Sequence, residues 1–173
     1  LFVYEKSWLK VFDKKVFYVP YFNHPDPSVK RKSGFLTPWY KGSESLGSSI
    51  NIPYFYAMSD SKDMTIRPRI YSNNDYILQS EYREAFENSD LIADFSFNRN
   101  ENTNTHLFAN LDGKFNEKTN YEIQIQNVTN DNYLKIYNLQ EHTEIIDSES
   151  TMTSFFNVKK EFDEDTSIDT SIK

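Results

Sequence analysis

Three histidines, His24, His106 and His142, are the first residues to weigh for chemistry, and they stand too far apart for a metal site. Cysteine is absent, which removes thiolate ligands, catalytic thiols and disulfides together. The serine-rich run GSESLGSS at 42–49 lacks the G-x-S-x-G elbow that presents a nucleophile, and it reads as a flexible loop. Glu164 and Asp165 lie in an acidic turn, a poor base for the paired carboxylates of glycoside hydrolysis. These residue types in this spacing point to no enzyme, no cofactor and no metal.

The residues with a clear mechanical consequence are prolines. Residues 34–56 read GFLTPWYKGSESLGSSINIPYFY, two aromatic-rich strand-like runs joined by a Gly/Ser loop, with Pro38 and Pro53 inside them. Proline cannot donate a ladder hydrogen bond, so sheets confine it to edges, first positions or bulges. An edge strand would explain Pro38 alone. Pro53 is harder to place that way, because a second strand is paired on both sides. Pro68 is a third mid-strand proline, expected at a bulge or a strand end.

The elements around these prolines are strands. Twelve Tyr and 14 Phe accompany only four Gly in 173 residues, and aromatic residues favour strands. Apolar and polar residues alternate in Met64–Ile70, in Leu91–Phe97 apart from Ile92, in Leu107–Phe115 and in Tyr121–Ile125, the period of a strand with two unlike faces. Short turn-rich separators at 59–63, 72–75, 87–90, 100–104 and 116–120 make the runs a meander of hairpins. Residues 128–150 lose the pattern and suit a long loop with a short helical piece. Two further strands flank the acidic turn at 163–165. The fold class is all-β.

A boundary falls near residue 30, after the paired prolines of NHPDP at 23–27 and within the basic KRK at 30–32. The net charge of −7 argues against nucleic acid as a partner. The chain opens on Leu1 rather than Met and shows no signal-peptide pattern, as expected for a piece of a longer protein.

Alternation leaves two solvents open. In a soluble β-sandwich or meander, a binding module for glycans through exposed Tyr and Trp39, the apolar faces pack together. In an outer-membrane barrel the apolar face meets lipid, and aromatic girdles mark its borders. Runs of about 8–11 residues suit a tilted spanning strand. Tyr71, Tyr76, Phe86, Phe115 and Tyr121 stand at run ends, where a girdle would lie. Arg67, Arg69, Glu81, Arg83 and Asp94 find partners more easily in a wet lumen than in a dry core.

Specific strings favour the barrel. VFYVPYF at 16–22, KRKSGFLTP at 30–38, IPYFY at 52–56, DMTIRPR at 63–69 and EYR at 81–83 together resemble the LPS-assembly protein LptD, the organic-solvent-tolerance family. The match is strong from about 16 to 86 and only pattern-level beyond. HPDP looks more like alphaproteobacterial members than enterobacterial ones.

The resemblance implies that residues 1–29 are the end of a periplasmic β-jellyroll and its connector. Residues 30–173 would then be the first eight or nine antiparallel strands of a large transmembrane β-barrel. It implies lipopolysaccharide as cargo, a periplasmic LptA-like bridge, an LptE-like plug lipoprotein, and location in the bacterial outer membrane. Pro38 and Pro53 match the family prolines that loosen the lateral gate where first and last strands meet. Lys30, Arg31 and Lys32 could meet lipid A phosphates, although a solvated basic run at the periplasmic rim is the favoured reading of these residues. Phe17, Tyr18, Tyr21 and Phe22 could line the lipid groove of the jellyroll, or be ordinary core.

Overall fold

The computed structural model describes residues 2–11, 14–24, 31–43, 46–99, 103–130, 132–143, 151–162 and 166–173. The chain divides into two compact units, Leu1–Lys32 and Ser33–Lys173. The first is an antiparallel hairpin of β1 (Phe2–Val11) and β2 (Lys14–His24), with a register shift between Leu9 and Lys10.

The second unit is an eleven-stranded antiparallel sheet. Its strands are β3 (Gly34–Phe35), β4 (Trp39–Ser43), β5 (Gly47–Asn51), β6 (Tyr54–Ala57), β7 (Lys62–Tyr71) and β8 (Tyr76–Ala85). They continue as β9 (Ser89–Arg99), β10 (Thr103–Asn116), β11 (Thr119–Val128), β12 (Phe155–Glu161) and β13 (Ser167–Ile172). From β7 to β13 each strand pairs with its chain neighbour, so the expected meander is present and the class is all-β. Between β11 and β12 the chain forms one helical turn, α1 (Tyr133–Ile136), and a 3₁₀ turn at Leu139–His142.

Burial runs opposite to that of a water-soluble sheet. Asn51, Asp63, Gln79, Asp94 and Asn98 are all 0 % exposed, whereas Ile70 is 57 %, Leu107 44 % and Phe97 38 % exposed. Register explains the sorting. Across β8, β9 and β10, Gln79 stands opposite Ser96 and Ser96 opposite His106, while Leu78 stands opposite Phe97. One face therefore collects the polar set and the other the apolar set, and the polar face is the covered one. Among the described residues of this unit no second sheet lies over the apolar face. A soluble sandwich would show the reverse.

Two expectations about single residues need correction. Tyr71 is no girdle residue: it is 5 % exposed. The strand period sets it on the polar face with Arg67 and Arg69, where the β11–β12 connection covers it. Tyr76, Phe86 and Phe115 are exposed as expected. Pro68 causes no bulge against β8, since Arg67↔Gln79, Pro68↔Leu78 and Arg69↔Ile77 run through it without a shift. The Ile52 amide donates to the Pro68 carbonyl at 3.3 Å. A residue's N–H and C=O point to the same side of a strand, so the N–H that Pro68 lacks belongs to the ladder on the Ile52 side.

The apolar face also depends on one close approach. Gly113 stands opposite Tyr121, and a Cβ there would lie 2.4 Å from the Tyr121 Cζ. Gly113→Ala must displace the ring, which itself packs 4.5 Å from Phe115. We expect a loss of about 1–3 kcal/mol, the usual cost of overpacking. Thermal unfolding would measure it, and an unchanged midpoint would show that the ring moves freely.

Candidate functional site

Two features meet on the first strands of the sheet: a line of prolines and a segment folded onto the polar face. The first strand path is broken into β3 and β4, the second into β5 and β6. Between the pairs Phe35↔Tyr54 and Trp39↔Asn51, residues 36–38 face 52–53, so the register slips by one. Pro38 is exposed at the end of the first break, and Pro53 is buried in the second. The Leu36 amide donates to the Pro53 carbonyl at 2.9 Å, but Pro53 has no N–H to return the bond. Pro68 leaves the carbonyl of Ile52 in the same position. Pro53 and Pro68 thus interrupt two consecutive ladders on either side of Ile52, with Pro38 at the end of the break in the first strand path.

The second feature is the connection after β11. Tyr133, Leu134 and Tyr137 share one side of the helical turn, and with Leu139 they bury against Tyr71, Ile77 and Phe108 of the sheet. Asn138 ends the turn in the left-handed region at φ 48°. The Asn132 amide donates to the Asn130 side chain at 2.9 Å, which starts it. These apolar residues form a small core on the polar face, and polar bonds surround it. Gln79 Nε2 donates to the Leu139 carbonyl at 3.2 Å and Tyr137 OH donates to Asp75 Oδ2 at 2.5 Å. Arg69 Nη1 donates to the Tyr137 carbonyl, and Lys41 pairs with Glu141.

Beneath Tyr133, three residues form an arrangement the sequence did not disclose. His106 Nε2 lies 2.6 Å from Asp94 Oδ1, and His106 Nδ1 lies 2.6 Å from Ser96 Oγ. With Nε2–H donating to the carboxylate, Nδ1 accepts the Ser96 hydroxyl, whose oxygen accepts from Tyr133 OH at 2.9 Å. Ser, His and Asp in contact suggest a nucleophile. Ser96, His106 and Asp94 are all buried, however, and the Ser96 oxygen is capped by Tyr133, so the relay ties the segment to the sheet. The three lie on adjacent strands, and their separation in sequence hides the contact. Farther along the polar face a cavity of ≈ 630 Å³ is walled by Asp90, Asp112, Glu122, Asn157 and Lys159.

The other sequence candidates belong to the first unit. Lys30 lies outside the described residues, and Arg31 and Lys32 are exposed, Arg31 at φ 36°. Phe17 stands opposite Leu9, Tyr21 opposite Glu5 and Phe22 opposite Tyr4. Tyr18 is exposed and its ring lies 5.0 Å from that of Trp8. The side chains of Phe17, Tyr21 and Phe22 are outside the described set.

No family model matches the chain. It is 28 % identical over 131 residues to the LPS-assembly protein LptD of Idiomarina loihiensis, covering 72 % of this chain and 17 % of that protein. The LptD of Pseudoalteromonas translucida is 29 % identical over 132 residues, 73 % of this chain and 18 % of its own. That of Psychrobacter cryohalolentis reaches 38 % over 79 residues, 46 % of this chain and 8 % of its own. This is an LptD-like chain. It spans less than a fifth of the length of these relatives.

In the LptD-like chain, docking of the folded-back segment depends on protonated tyrosines. Burial, the largest cause, pushes the Tyr133 hydroxyl from the ordinary 10.0 up to about 12. Burial, followed by the hydrogen bond to Asp75, pushes Tyr137 upward as well. The docked state holds the proton more tightly than the undocked one, so docking is fully stable below the ordinary value and weakens above it. We expect the segment to release as pH rises from 10.0 through about 12, seen as faster amide exchange and protease cleavage within residues 133–142. Tyr133→Phe should remove much of that pH dependence, and an identical curve in the variant would contradict the assignment.

Proposed function

We propose that residues 33–173 are the leading strands of an outer-membrane barrel that delivers lipopolysaccharide to the outer leaflet through a lateral gate beside the first strand paths. The observation that carries this reading is the pairing of an exposed apolar face with a covered polar face, interrupted by prolines at its leading edge. A bilayer supplies the missing partner for the apolar side chains. The covered side then faces the lumen. Lipid offers no substitute donor for a broken ladder, so each absent N–H lowers the resistance of the seam to parting. Lipid slides sideways through such a seam without covalent chemistry or a cofactor.

On this reading Pro38 and Pro53 are the gate residues, and Pro68 extends the weakness into the third strand path. The hairpin of the first unit is the end of a periplasmic jellyroll, fed by an LptA-like bridge. Phe17, Tyr18, Tyr21 and Phe22 lie along its lipid groove. Lys30, Arg31 and Lys32 meet lipid phosphates near the periplasmic rim. An LptE-like lipoprotein plugs the completed barrel. The similarity to LptD proteins supports the cargo and the location.

Replacing Pro38 and Pro53 by alanine in the complete protein restores two donors, each worth about 0.5–1.5 kcal/mol net in water and more in lipid. We expect normal assembly with slower appearance of new lipopolysaccharide at the cell surface. Delivery at the wild-type rate would rule out the gate. Separately, Phe97→Lys on the apolar face should weaken membrane insertion by about 2–4 kcal/mol if that residue lies at mid-bilayer. Insertion as efficient as wild type would mean that this face does not meet lipid.

A further inference from the structure

Several side chains of the polar face beside the proline line keep buried polar atoms that have no partner. They are both amide atoms of Asn51, Nη1 of Arg67, Nε and Nη2 of Arg69, and Oε1 of Gln79. Register makes them neighbours: Asn51 stands opposite Arg69 and Arg67 opposite Gln79. Most of these orphaned atoms are donors.

Arg69 is the centre of the group. It is 3 % exposed, its guanidinium lies 4.9 Å over the Trp39 ring, and only Nη1 is used, by Tyr71 OH at 3.2 Å and by the Tyr137 carbonyl. Among the described residues no carboxylate pairs with it. Asp75 is occupied by Tyr137, Asn98 and the Tyr76 amide, and Glu141 by Lys41. Nε and Nη2 form the side edge of the guanidinium, the fork that receives two oxygens of one anion. Arg69 also lines a cavity of ≈ 90 Å³ with Lys41, Ser49, Tyr71, Tyr137 and Asn138, and among the described residues none of the lining is acidic. That volume is several times what one water needs. Water could satisfy the free N–H groups, but it brings no charge to balance a buried guanidinium.

We infer that Arg69, with Lys41 beside it, forms an oxyanion site that takes a phosphate or carboxylate group between the first strand paths and the folded-back segment. The site goes beyond the transport reading and does not depend on it, because a free ion and a lipid headgroup offer the same pair of oxygens.

The test uses the complete protein in detergent, titrated with inorganic phosphate and with acetate, and followed by phosphorus NMR line width and by the unfolding midpoint. Saturable binding of either anion is expected to raise the midpoint. Arg69→Lys keeps the charge but loses the fork, and should weaken binding by about tenfold. Should that variant not fold, Lys41→Met at a half-buried position should still weaken binding by about threefold. A phosphorylated glycolipid compared with its dephosphorylated form identifies the source. Preference for the phosphorylated form assigns the ligand to a headgroup. Equal binding, with inorganic phosphate still bound, assigns it to a free ion, and both results uphold the site. No saturable binding of either anion to the folded wild type, or undiminished binding by the folded variants, overturns it.

Discussion

A continuous backbone ladder is the constraint on which the rest of this structure depends. Among the described residues the sheet has no apolar core beneath most of its strands. Apart from Tyr71, Ile77 and Phe108, most of its apolar side chains point away from the covered face, so strand-to-strand hydrogen bonds, rather than the packing of one layer on another, hold β7 to β13 in register. Where the ladder is intact, strands of 10 to 14 residues follow one another from β7 to β11. Where proline removes donors, the paths break into the short pieces β3 to β6. Local strength and local weakness come from one chemical group, the amide N–H.

The polar face pays for its burial with partners. Arg83 pairs with Asp63 at 2.9 Å, Asn98 donates to Asp75 at 2.7 Å, and His106 joins Asp94 to Ser96. Such bonds offset the cost of removing charge and amide groups from water. The folded-back segment adds the only apolar cluster of buried residues in the described chain, and it sits on the polar side. Tyrosine suits this place, since its ring packs while its hydroxyl joins the polar bonds. Asn51 and Arg69 depart from the pattern: Asn51 keeps both amide atoms idle, and Arg69 keeps Nε and Nη2, three of its five N–H donors.

Much of the fold was legible in the sequence because strand alternation is local. Leu91 to Phe97 and Leu107 to Phe115 announce their faces without help from distant residues, and turn residues such as those at 72–75 mark the ends. The prolines were equally plain. Other features depend on register, which the sequence does not print. The contact of Asp94, Ser96 and His106 exists because β9 and β10 pair Ser96 with His106. Tyr71 read as a border aromatic because nothing in its own strand shows that Tyr133 and Tyr137 will cover it. The connection itself carried a faint signal, Tyr133, Leu134 and Tyr137 spaced for one side of a single turn, in a stretch otherwise poor in pattern. Pro68 could not be placed until Ile52 showed which ladder lost the donor.

The ties from the folded-back segment have a mechanical consequence. Glu141 holds β4 through Lys41, and the Tyr137 carbonyl holds β7 through Arg69, so both contacts lie on the side of the proline break nearer the β4–β5 connection. On the far side, β3 has two ladder pairs, Gly34↔Phe55 and Phe35↔Tyr54, flanked by single bonds from the Leu36 amide to the Pro53 carbonyl and from the Ala57 amide to Ser33 Oγ. Fraying of the sheet margin is therefore directional. It begins at β3, close to where the chain leaves its first unit, and runs toward a stapled corner, as a zip opens from its loose end.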